Sequence, residues 1–224
     1  MYKDNKKDIS KGEEINYAMI SLLSHKTNIG IIGAGEAGFI KARHFLKEGF
    51  KVYMIANHKP KDRKILEFIN SNKNLIFNIQ DYNKDFILNK HIIIICVNDY
   101  NVRQKIIKDC EKLSKIYINS SDYKEGMAIV SAQKTYDNII LGVNTKGANP
   151  QGALFILNKL QDNILKYDSY IKYTSEIRKI LKKHQNIKSE ALKFIFHEDF
   201  YFFFKKEKAD LILKLFYDNI RSQI

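Results

Sequence analysis

Gly33, Gly35 and Gly38 stand in a complete G-x-G-x-x-G, Gly33-Ala34-Gly35-Glu36-Ala37-Gly38, a spacing that carries a chain from a strand, around a phosphate, into a helix. Each glycine has its own steric task. Gly33 lets the strand turn sharply, Gly35 lets the backbone approach a pyrophosphate, and Gly38 lets the following helix pack closely on a sheet. The first N–H groups of that helix are then available to an anion. The surroundings complete the motif: Asn28-Ile29-Gly30-Ile31-Ile32 reads as a strand before it, residues 39–49 as a helix after it, and residues 51–56 as a second strand. This βαβ context marks residues Gly33, Ala34, Gly35, Glu36, Ala37 and Gly38 as a dinucleotide site.

Further polar residues fall at strand ends, where such a ligand lies. In many folds of this kind a carboxylate closes the second strand and binds the ribose hydroxyls, but here the segment is Ala56-Asn57-His58-Lys59. Asn57 can still hydrogen-bond a ribose, and without the acid the choice between NAD and NADP stays open. The block His91-Ile92-Ile93-Ile94-Ile95-Cys96-Val97 is continuous and β-branched, as in a parallel strand covered on both faces. Asn98 and Asp99 follow it and precede an amphipathic pattern over residues 102–113, so either one caps that helix or touches the cofactor.

The elements that must position these groups alternate in type. Residues 65–70 read as a short helix and residues 75–79 as a third strand; residues 116–119 form a fifth, after the fourth at residues 91–97. The rhythm then changes. Residues 127–131 and 138–143 read as a hairpin with a polar turn at 134–137, and from residue 151 the pattern is helical, over 152–167, 170–183, 189–196 and 208–220. The aromatic run Phe200-Tyr201-Phe202-Phe203-Phe204 suits helix packing or a subunit contact better than a cofactor box. At the other end, residues 1–26 open as a polar arm, expected to be loose, followed by an apolar patch at 17–23 that could lie against the sheet.

With 224 residues, of which 45% are hydrophobic, the chain can bury a sizeable core. No apolar run approaches the ~20 residues of a membrane helix, and residues 1–14 are charged where a secretion signal needs an apolar centre, so a cytoplasmic protein without membrane partners is expected. The net charge of +13 is scattered and no recognition module accompanies it, which argues against nucleic acid and for a cleft that gathers a polyanionic small molecule. Cys96 and Cys110 form no redox or metal motif, and the six histidines show no ligand spacing, so no metal site is expected.

Taken together the landmarks resemble the precorrin-2 dehydrogenase family, the module that also forms the amino-terminal half of bifunctional siroheme synthases. The glycine turn followed by Lys41-Ala42-Arg43 is similar to that family's turn with its helix lysine, and Val97-Asn98-Asp99 falls at its polar strand end. Ile118-Asn119-Ser120-Ser121-Asp122 resembles its asparagine-to-aspartate segment, and Thr145-Lys146-Gly147-Ala148-Asn149-Pro150 its S-x-G-x-S-P segment, with Asn149 and Lys146 in place of the usual serine and glycine. The arginine often found in the next helix is missing, since residues 154–157 are apolar.

The resemblance implies an α/β architecture: a Rossmann parallel sheet with an N-terminal arm at residues 1–117, a β-hairpin dimerisation region at 118–150 and an α-helical domain at 151–224. It implies oxidation of precorrin-2, a tetrapyrrole bearing carboxylates, to sirohydrochlorin, with NAD favoured as hydride acceptor. Asp122 is then the proton acceptor, Asn119, Thr145, Lys146, Gly147 and Asn149 lie on the substrate side, and the protein is a homodimer. Two other readings stay open: a bifunctional enzyme that also inserts iron or cobalt into the product, and a nucleotide-sensing regulatory domain that does no chemistry.

Overall fold

Branched and aromatic residues favour strands, and unbroken apolar runs favour strands buried on both faces; the chain forms β1 (Asn28–Ile32), β2 (Lys51–Ala56), β3 (Leu75–Ile79), β4 (Ile92–Ile95) and β5 (Ile116–Asn119), with β4 buried throughout and the edge strand β3 mostly exposed. In the computed structural model, which describes residues 17–147 and 149–217, these five strands make one parallel sheet in the order β3-β2-β1-β4-β5. The loose arm expected over the first residues lies outside the described residues. Alternate side chains feed two cores. Ile29, Ile31, Val52, Met54, Ile92 and Ile94 face one, closed by Ala42 and Phe45 of α1 (Glu36–Lys47) and by Phe68 of α2 (Arg63–Ser71). Ile32, Ile55, Ile93 and Ile95 face the other, closed by Phe86 and Ile87 of α3 (Asp85–Leu88) and by Ile106, Ile107 and Cys110 of α4 (Tyr100–Lys112). This is a doubly covered Rossmann sheet, and its strand order reverses at β1.

The chain divides into two compact units, Ala18–Val130 and a second one that contains Ser131–Ile224. In the second, β6 (Ala132–Thr135) pairs antiparallel with β7 (Ile140–Val143). The hairpin's first strand is therefore not residues 127–131, as the sequence suggests. Those residues are drawn back to the Rossmann unit: the N–H groups of Met127 and Ala128 donate to the Tyr117 carbonyl at 3.0 and 3.1 Å, and Ala128 and Val130 pack on the first core.

The hairpin packs on α5 (Pro150–Leu181), a single helix of 32 residues where two were expected. Nothing at Asp168-Ser169 breaks a helix, and Asp168 accepts from Asn138 N and Nδ2 at 3.0 and 2.8 Å, which pins the hairpin turn to mid-helix. Then follow α6 (Lys188–Ile195), α7 (Glu198–Lys205) and α8 (Ala209–Phe216). The aromatic run forms α7. Phe200 is 1% exposed among Phe194, Tyr173 and the α5 residues Tyr170 and Ile177, so its work is helix packing. In contrast, Met19 and Ile20 of the patch expected to cover the sheet are 59% and 72% exposed.

Candidate functional site

The glycine turn is built as its spacing requires, and the three glycines differ in why they are needed. Gly33 follows β1 with φ +109°, and a Cβ there would stand 2.3 Å from the Cys96 carbonyl oxygen. Gly38, in the first turn of α1, passes so close to Gly33 that a Cβ would stand 2.1 Å from its carbonyl oxygen. This approach lets α1 begin at Glu36, three residues before the expected start. At Gly35 a Cβ would have no neighbouring atom within 4 Å. Its backbone faces open space at the N-terminus of α1, where it is the N-cap and no side chain caps the helix. The protein thus leaves both the room and the N–H donors that a pyrophosphate takes.

The turn opens into a cleft of about 800 Å³ at the carboxyl ends of the strands, within the Rossmann unit. Gly33, Ala34, Gly35 and Glu36 line it, with Asn57 at the end of β2 and Asn98 and Asp99 at the end of β4. Ala37 and Gly38 stand behind them in the first turn of α1. Asp99 caps α4, its Oδ1 accepting from Val102 N at 3.0 Å, one of the two roles weighed for this pair, and it also lines the cleft. Cys96 lines the same wall and shares a 3.3 Å hydrogen bond with Ser120 Oγ. Burial pushes its thiol up from the usual range, against the pull of Ser120 and of Lys41, and burial holds the Lys41 ammonium low.

One strand over, β5 ends in a tight turn. Asn119 is 3% exposed; its Oδ1 accepts from the N–H groups of Ser121 and Asp122 at 3.0 and 3.3 Å, and its Nδ2 donates to Glu125 Oε2 at 2.9 Å. Both ends of its amide are thus committed inside the fold, and Asn119 supports the turn that carries Asp122. Asp122 is exposed, and its Oδ1 accepts from Lys124 N at 2.9 Å. The turn is tied to the cleft wall through Cys96 and Ser120 and through Ser121 Oγ, which donates to the Val97 carbonyl at 3.5 Å.

Thr145, Lys146, Gly147 and Asn149 belong to the second unit and form the entry to α5. Thr145 Oγ1 accepts from Asn149 N at 2.7 Å and donates to its carbonyl at 3.2 Å, and Asn149 Oδ1 accepts from Gly152 N at 2.8 Å as the N-cap. Gly147 has open space around it.

Residues 20–132, half of the chain, match a protein family described as "Putative NAD(P)-binding". The chain belongs to this NAD(P)-binding family. A relative from Methanocaldococcus jannaschii described as "Putative precorrin-2 dehydrogenase" is 29% identical over 198 residues, which cover 83% of this chain and 91% of that one. Among solved structures, "SirC, precorrin-2 dehydrogenase" shares the fold with a TM-score of 0.62 at 21% identity, over 80% of this chain and 90% of that one.

As a member of the NAD(P)-binding family the chain also presents residues to the cleft that sequence reading passed over. Gln80, Asp81 and Tyr82 follow β3, Lys61 and Asp62 precede α2, and Lys105 reaches in from α4. The Tyr82 hydroxyl donates to Asp109 at 3.0 Å, and burial pushes its pKa well up, so it stays a neutral wall. A strand-end rule applied to β3 would have found the first three; Lys105 depends on how α4 crosses the sheet. Among the described residues no cluster of histidine, cysteine, aspartate or glutamate could hold a metal ion, and no helix is long and apolar enough to cross a membrane.

Proposed function

We propose that the protein is a precorrin-2 dehydrogenase that uses NAD+ and yields sirohydrochlorin. One observation carries this reading beyond nucleotide binding: a carboxylate, Asp122, stands on a turn that is tied through Ser120 and Ser121 to the wall of the nucleotide cleft. Oxidation of precorrin-2 removes two hydrogens, one as hydride and one as proton. A nicotinamide cofactor, bound in the cleft, supplies the hydride acceptor. Gly35 and the uncapped N-terminus of α1 hold the pyrophosphate, Asn57 the ribose, and Asn98 and Asp99 close the wall beside β4. Asp122 takes up the proton on its carboxylate. Thr145, Lys146, Gly147 and Asn149 bind the substrate, with Lys146 pairing a substrate carboxylate.

The relative of the same description, matched over 83% of this chain, supports the substrate. The protein works in the cytoplasm as a homodimer, a state favoured by the exposed apolar groups Ile140, Leu154, Phe155, Ile156 and Leu160 in the hairpin and α5. Light scattering at micromolar concentration should give twice the monomer mass, and a monomer alone would refute the dimer.

Anaerobic incubation with precorrin-2 and NAD+, without metal, should produce sirohydrochlorin and NADH together. Asp122→Ala should lower turnover by about 10²–10⁴-fold while NAD+ affinity stays unchanged. Nucleotide binding without turnover on either NAD+ or NADP+ would instead mark a nucleotide sensor, and faster turnover with NADP+ would reassign the cofactor.

A further inference from the structure

The proton acceptor proposed above stands on a short turn, and what holds that turn is a polar network centred on a residue with no assigned role. Asp122 and Ser121 hang by their N–H groups from Asn119 Oδ1. Because Asn119 is 3% exposed, water cannot orient its amide. The orientation comes from Glu125, whose Oε2 accepts from Asn119 Nδ2 at 2.9 Å and whose Oε1 accepts from Gln104 Nε2 at 3.2 Å. Arg103, its side chain only 14% exposed, forms an ion pair with the same carboxylate at 3.5 Å, and its Nη1 donates to the Asn98 carbonyl at 3.4 Å on the cleft wall. The chain then closes behind this carboxylate: Gly126 comes so near that a Cβ there would stand 3.1 Å from Asn119 N, and Met127 and Ala128 return to the Tyr117 carbonyl.

We infer that Glu125 is the positioning residue for Asp122: it fixes the Asn119 amide, the Asn119 amide fixes the turn, and Arg103 registers the assembly against the nucleotide wall at Asn98. The inference rests on the assignment of Asp122 as proton acceptor. A carboxylate suits the place because its two oxygens accept from donors on two elements, Asn119 at the end of β5 and Gln104 on α4, while its charge pairs with Arg103.

The test uses Glu125→Ala, Glu125→Gln, Asp122→Ala and the double variant Asp122→Ala/Glu125→Ala, each assayed for NAD+ binding, kcat and KM with precorrin-2, and amide hydrogen exchange at Ser121 and Asp122. Glu125→Ala should lower kcat by about 10–100-fold, as expected for a displaced reacting group, with KM and NAD+ affinity little changed. Glu125→Gln keeps an acceptor for Asn119 and should recover most of the loss. Added to Asp122→Ala, Glu125→Ala should cost nothing further, since it acts through the group already removed. Exchange at the two amides should quicken by about tenfold or more in Glu125→Ala and stay slow in Glu125→Gln. Wild-type kcat in Glu125→Ala, or a full additional loss in the double variant, would overturn the inference. If the wild-type protein turns over no precorrin-2, the dehydrogenase reading falls and exchange alone decides: slow exchange in Glu125→Ala overturns the role of Glu125, and fast exchange upholds its hold on the turn.

Discussion

Gly33 and Gly35 occupy equivalent-looking places in one motif, yet a methyl group would meet opposite surroundings at each. At Gly33 it would strike the Cys96 carbonyl at 2.3 Å, on a backbone with φ +109° that side chains rarely adopt. Gly33→Ala should therefore cost roughly 3 kcal/mol or more of stability, seen as a large fall in the thermal midpoint before any nucleotide is added. At Gly35 the same methyl would meet only open space. Gly35→Ala should keep its thermal midpoint and lose nucleotide affinity by about tenfold, roughly 1.4 kcal/mol, because the ligand alone needs that space. Unchanged affinity in Gly35→Ala would remove Gly35 from the site.

Among the elements, α5 shows how a departure from a family pattern can preserve a physical role. Asn149 stands where the resembling family has serine, and both are good N-caps; here Asn149 Oδ1 accepts from Gly152 N while Thr145 ties off Asn149 N. Asn149→Ala should lower stability by about 1 kcal/mol and Asn149→Ser by only a few tenths, measured by chemical denaturation. Equal losses in both would show that contacts other than the cap matter there. The same helix reads as two in sequence because hydrophobic spacing falters near Asp168, whereas the fold keeps it whole and uses Asp168 to hold Asn138.

Over the whole molecule, alkali should attack both units through groups buried in their protonated form. Burial pushes the Cys110 thiol of α4 from 9.0 up to about 12, and the Tyr170 hydroxyl of α5 from 10.0 up to about 12. Each group holds its proton more tightly folded than unfolded, so its contribution to stability is complete below its unfolded pKa and is lost as pH rises toward the folded value. Denaturation midpoints should fall between about pH 9 and 12. Cys110→Ala and Tyr170→Phe should each flatten part of that fall, and profiles parallel to wild type would show that other groups govern it. At neutral pH the net charge of +13 favours a polyanionic ligand, so the KM for precorrin-2 should rise with ionic strength.

What the sequence determined alone was local. The glycine turn is legible because its spacing is a local pattern, with Gly33 required by its own positive φ and Gly38 by the Gly33 carbonyl, although the Cys96 carbonyl that also crowds Gly33 comes from the end of β4; β2, β3 and β5 likewise begin and end where their apolar runs do. Asp122 could be singled out because it follows a strand in a familiar segment. Only the tertiary structure decided the partners. Residues 127–131 have the composition of a strand, but the N–H groups of Met127 and Ala128 donate to the Tyr117 carbonyl, and the buried Asn119 amide holds Ser121, Asp122 and Glu125. Glu125 belongs to no motif and became visible once β5 and α4 were side by side, because a hydrogen-bond network is a property of neighbours in space that spacing along the chain does not encode.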